Sequence, residues 1–164
     1  MEIISAEIAD NQILTTIPKK SKAYWGYSAD KLQGWEHLLT VTKDYIEKNN
    51  VFKLILNDQI IGYYSFYPID ENTIKLDNMF ILPEYIGKGF GKVLMTDFLK
   101  KVEQFGVNKI TLDAEPNAEN YYKTFDFETT EQLESSIKER YLPIMELKIE
   151  KKTKTNISLI IWRM

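Results

Sequence analysis

The stretch Pro83-Glu84-Tyr85-Ile86-Gly87-Lys88-Gly89-Phe90-Gly91-Lys92-Val93-Leu94 places three glycines at alternate positions, after a β-rich run and at the start of a helical one. Glycine reaches backbone conformations closed to other residues, so successive N–H groups there can turn into one concavity. That concavity sits at a helix N-terminus, where unpaired N–H groups and the helix dipole favour an anion. A phosphate or pyrophosphate is the natural occupant. A Walker loop would need Ser or Thr after Lys88, where Gly89 stands. A dinucleotide fingerprint needs Gly-x-Gly-x-x-Gly after an early strand, against Gly-x-Gly-x-Gly here after about four, although Asp113 stands roughly where an acidic ribose ligand would.

Working outward, Leu94, Phe98, Val102 and Phe105 recur at three to four residues until Gly106, which predicts a helix. Residues 73–82 before the turn and 108–113 after the helix read as the fourth and fifth strands. A right-handed crossover makes them parallel. Residues 116–125 suggest a short helix, and 127–131 and 141–149 two more strands. Upstream, residues 52–56 and 60–67 form a hairpin about Asn57-Asp58-Gln59, preceded by a predicted helix over 34–48. Residues 2–8 suggest a first strand and 10–18 a short helix ended by Pro18, with the basic, aromatic segment 19–31 as a surface loop or broken helix. The class is mixed α/β with one βαβ unit. Residues 1–150 are expected to form a single domain, and the tail 151–164 an added edge strand, with a partner contact and then disorder as the alternatives.

A length of 164 residues with 44% hydrophobic, 27% charged and 13% aromatic content suits one folded core. A net charge of -3 supplies no bulk positive field for nucleic acid or anionic lipid, so neither is an expected partner. The absence of cysteine excludes disulfides, thiolate metal sites and a thiol nucleophile. His37, the one histidine, makes a poor metal site, and no metal is expected. No apolar run approaches the roughly 18 residues of a membrane helix, nor does the N-terminus read as a secretory signal, which makes the cytoplasm the expected address.

Residues 83–94, the strand before them, and the block Asp113-Ala114-Glu115-Pro116-Asn117-Ala118-Glu119-Asn120-Tyr121-Tyr122-Lys123-Thr124-Phe125-Asp126-Phe127 together resemble the Gcn5-related N-acetyltransferases, the GNAT superfamily. The resemblance implies a mostly antiparallel sheet with a splayed central parallel strand pair, helices on both faces, and acetyl-CoA as co-substrate. It further implies direct acetyl transfer to an amine of a small molecule or peptide, by a monomer or homodimer. It assigns cofactor contacts to Phe80 and Ile81, to Ile86, Gly87, Lys88, Gly89, Phe90, Gly91 and Lys92, and to Asn117 and Tyr122. Tyr122 matches the family's general acid, its neighbour Tyr121 being the packing residue, and Tyr24, Trp25 and Tyr27 fall where the acceptor pocket is covered. Asp77 is a candidate base acting through water, since period-two alternation places it on one face with Met79 and Ile81; Asp113 and Glu115 are comparable. Two positions depart from the family: Ile86 replaces Arg or Gln, and Asp126 replaces Gly. Ile86 and the unsettled base leave a non-catalytic acyl-CoA-binding module as the alternative.

Overall fold

The computed structural model describes residues 1–135 and 141–150, so the edge strand expected at 151–164 lies outside the described residues. The β-rich runs become β1 (Glu2–Ser5), β2 (Asn50–Leu56), β3 (Gln59–Pro68), β4 (Thr73–Ile81), β5 (Lys109–Asp113), β6 (Glu128–Glu134) and β7 (Tyr141–Lys148). They join one sheet in the order β1-β2-β3-β4-β5-β7-β6. Every neighbouring pair is antiparallel except β4 and β5. Those two are paired only at Thr73–Lys109, Ile74–Ile110 and Lys75–Thr111, while β4 continues to Ile81 and β5 to Asp113. Beyond Lys75 the parallel strands part, and the sheet carries the fork that the resemblance implies.

Alternation along the central strands feeds two apolar layers. On one face Leu54, Tyr64, Phe66, Ile74 and Leu76 pack under Leu94, Met95, Phe98 and Val102 of the crossover helix. On the other, Val51 and Tyr63 meet Leu14, Ile17, Val41 and Ile46. Phe98, fully buried, meets Tyr64 and Phe66 edge-on at 5.7 and 5.4 Å, which locks the crossover helix to β3.

The helices depart from the sequence expectation in two places. First, α1 (Asn11–Tyr24) runs through Pro18 rather than stopping there. Proline has no N–H to give to Leu14, a loss of about 3 kcal/mol in a helix interior. Burial of Leu14, Ile17, Pro18 and Ser21 along one face outweighs it. Second, after a short α2 (Ala29–Gly34), the helix expected over 34–48 is two pieces, α3 (Glu36–Leu39) and α4 (Lys43–Lys48). Val41 is drawn out of helix by burying its side chain and giving its N–H to Thr15 Oγ1 at 2.9 Å. Thr42 then restarts the chain as an N-cap, accepting from the Tyr45 N–H at 3.0 Å. The crossover helix is α5 (Phe90–Val102), and α6 (Glu119–Lys123) follows β5. Among the described residues no helix is long and apolar enough to cross a membrane.

A β-bulge decides what faces the fork. Ser65 pairs with Asn78 and Phe66 with Leu76, which leaves Asp77 unpaired. The extra residue inverts the alternation, so Leu76 and Met79, three apart, share the α5 layer. Asp77 therefore does not share a face with Met79 and Ile81, contrary to the period-two reading: its carboxylate points to the opposite layer and accepts from Tyr45 of α4.

Candidate active site at the strand fork

The three glycines of the turn divide into two tasks. Gly87 and Gly89 have φ of +77° and +87°, the left-handed region, and Gly89 is the residue on which α5 starts. The first amide beyond them to reach a main-chain acceptor is that of Val93, 3.3 Å from Gly89 O. The N–H groups of residues 87–92 have no acceptor among the described residues, and those of 90–92 open the helix. Gly91 serves packing instead: a Cβ there would lie 3.2 Å from the Tyr121 ring, and Tyr121 Oη donates to Gly91 O at 2.7 Å. Tyr121 thus pins α6 onto α5, the packing role expected of it.

From this turn an open cleft of about 480 Å³ runs along Met79, Phe80 and Ile81 of β4, with Asn117, Tyr122 and Phe125 on its far wall. Ile86, Gly87, Gly89, Gly91 and Lys92 line its glycine end, and Trp25 and Ser21 close one side. A shallower hollow of about 720 Å³ among Asp70, Thr73, Lys109 and Lys148 lies at the paired end of β4 and β5, away from the fork. Lys88 and Phe90 do not line the cleft. Phe90 packs edge-on against Tyr85, and Lys88 Nζ lies 5.7 Å over the same ring.

Tyr122 is 9% exposed, with Tyr121 and Phe127 edge-on to its ring at 5.2 and 5.8 Å. Burial, with the negative Glu115 adding to it, holds its hydroxyl pKa well above the ordinary phenol value, so the group stays protonated. Asp126 takes φ +65° at the turn after α6, the conformation for which the family uses glycine and which Asp tolerates better than most residues.

The three carboxylates considered as bases have different surroundings. Asp113 pairs with Lys75 at 2.6 Å across the two parting strands. Glu115 is largely buried and takes Lys22 Nζ, Tyr27 Oη at 2.8 Å and Asn117 Nδ2 at 3.2 Å. Asp77 accepts from Tyr45 Oη at 2.5 Å and Asn78 Nδ2 at 3.1 Å. Of the aromatic segment, Trp25 alone reaches the cleft; Tyr24 is 56% exposed beside Trp25, and Tyr27 packs on Trp35. His37 is exposed on α3, and no group of three or more His, Cys, Asp or Glu is placed for a metal among the described residues. Lys22, Tyr45, Ser65 and Asn78 were not anticipated as site residues. Only the adjacency of Asn78 to Asp77 offered a signal.

A glycine-cradled cleft entering a fork between parallel strands defines the class. Residues 25–150 match the model of the Acetyltransferase (GNAT) domain, and the chain belongs to that family. Among curated relatives, the [ribosomal protein bS18]-alanine N-acetyltransferase of Haemophilus influenzae is 36% identical over 94 residues, 56% of this chain and 60% of that protein. The chain spans 27%, 60% and 65% of the length of three curated relatives it matches. PaiA N-acetyltransferase from Thermoplasma acidophilum, solved with coenzyme A, superposes with a TM-score of 0.72 at 19% identity, over 90% of this chain and 98% of that one. The ribosomal-protein-S18-alanine N-acetyltransferase of Escherichia coli gives 0.70 at 17% identity, over 94% and 97%.

Proposed function

We propose that this chain is a cytoplasmic N-acetyltransferase that moves an acetyl group directly from acetyl-CoA to an amine of a small molecule or peptide. The observation that carries the reading is the cleft itself. It joins an anion cradle of unpaired amides at residues 87–92 to a buried, protonated Tyr122 at the strand fork. The residues fit the co-substrate. Left-handed Gly87 and Gly89 turn main-chain donors to a pyrophosphate, with Lys92 as the nearby cation. Because pairing with β5 ends at Lys75, the edge of β4 at Met79, Phe80 and Ile81 is open to an extended arm, which would bond to it as an added strand does.

Bound acetyl-CoA would supply a thioester carbonyl and a sulfur leaving group. Tyr122 holds at Oη the proton that a departing sulfur requires, and its raised pKa keeps that proton in place at neutral pH. Asp77 takes the proton of the attacking amine through a water. The reading is tested first by ligand-dependent thermal unfolding. CoA or acetyl-CoA at about 100 times its Kd should stabilise the fold by about 2.7 kcal/mol, and NAD should leave it unchanged. A shift with NAD and none with either CoA species would refute it.

A further inference from the structure

Resting on the acetyltransferase reading and on Asp77 as its base, we infer that Tyr45 is a positioning residue that aims the Asp77 carboxylate. The bulge creates the need. Asp77 has no partner residue on β3, and its side chain is exposed. A carboxylate on an unpaired, exposed residue has several staggered orientations open to it, and something outside the strand must choose among them.

Tyr45 is built to choose. It stands in the first turn of α4, where its N–H is held by the Thr42 cap and its carbonyl accepts from the side chain of Asn49 at 2.9 Å. Its hydroxyl meets Asp77 Oδ2 at 2.5 Å, Ser65 Oγ at 2.7 Å and Asn78 Nδ2 at 3.1 Å. A phenol has one proton to give. Asn78 Nδ2 can only donate to it, and Ser65 Oγ can donate as well as accept, so the single phenolic proton belongs to the carboxylate. Consecutive strand residues normally point to opposite faces; the bulge brings Asp77 and Asn78 to the same oxygen.

Fold stability alone does not account for the arrangement. Ser65 and Asn78 already bond to each other at 2.9 Å, so what the Tyr45 O–H adds is the aim of Asp77. Nor is Asp77 held by an ion pair. The nearest cation on its strand, Lys75, is bound to Asp113 at 2.6 Å, and Asp77 has no salt bridge among the described residues. Tyr63, two residues before Ser65 on β3, adds a second buried hydroxyl beside this network, with no partner among the described residues and within electrostatic reach of Tyr45 and Asp77.

The test is a double-mutant cycle of Tyr45→Phe and Asp77→Asn, read as thiol release with the best amine of a panel. Acetyl-CoA-dependent thermal stabilisation is followed in parallel as the check on folding. Asp77→Asn should lower kcat on the order of 10²-fold. Tyr45→Phe, which keeps the ring, should lower it about ten-fold, the scale of one hydrogen bond to a charged group. The double variant should be no slower than Asp77→Asn, with KM for acetyl-CoA unchanged throughout. Full turnover in Tyr45→Phe, or a further loss when it is added to Asp77→Asn, overturns the inference and leaves the acetyltransferase reading intact. Full turnover in Asp77→Asn overturns both the base and its positioning residue. No thiol release by the wild-type chain with any amine sinks the acetyltransferase reading, and the inference with it.

Discussion

Tyr122→Phe is expected to lower kcat on the order of 10²-fold or more, with the affinity for CoA nearly unchanged. The ring sits against Tyr121 and Phe127 in edge-on contacts that phenylalanine also makes, so packing survives the change. What is lost is one proton donor in a nearly closed environment, and a positioned acid of this kind is worth roughly 10²- to 10⁴-fold. The split between kcat and binding is the informative result. If Tyr122 were only a half-buried packing residue, its hydroxyl would be dispensable and turnover would match the wild type. Steady-state kinetics beside a CoA titration decide between the two.

The second large effect is alkaline unfolding. Burial raises the pKa of Tyr63 and Tyr122 well above the ordinary phenol value, and that of Tyr121 and Tyr64 likewise, with the Asp97 carboxylate adding to the effect at Tyr64. Below pH about 10 both folded and unfolded chains carry these protons, and the groups do not affect stability. Above it the unfolded chain releases protons that the folded chain retains, so stability falls as pH rises. Each fully held tyrosine costs about 1.4 kcal/mol per pH unit, or about 3 for Tyr63 and Tyr122 together. Against a typical total of roughly 5–15 kcal/mol, unfolding should come within a few pH units of 10. Phenolate absorbance and circular dichroism followed together check this. The buried set should ionise only as secondary structure is lost. All 10 tyrosines ionising in one step near pH 10, with the circular dichroism unchanged, would contradict it.

The parts of the site that were legible in the sequence rest on local requirements. Gly87 and Gly89 need left-handed backbone, and no other residue type meets that need as cheaply. The parallel pair followed from one crossover helix between two strands, whereas its fork and the choice of Tyr122 came from the resemblance carried by residues 113–127. The parts that were not legible depend on distant partners. Strand parity placed Asp77 on the wrong face because the inserted residue shows only in the pairing with β3. The break at residues 40–42 depends on Thr15, 26 residues away from Val41, and the buried Glu115 pair on Lys22, 93 residues away. Helical spacing put Tyr45 on an apolar face; nothing in that spacing says its hydroxyl passes beyond the core to a strand bulge.

The central claim, acetyl transfer from acetyl-CoA to an amine, is tested most directly by measuring free thiol released from acetyl-CoA by the wild-type chain across a panel of primary amines and N-terminal peptides. The account predicts amine-dependent release, with one acetylated amine formed per thiol and loss of the rate in Tyr122→Phe. CoA-dependent stabilisation without amine-dependent thiol release would contradict it and leave a binding module in its place.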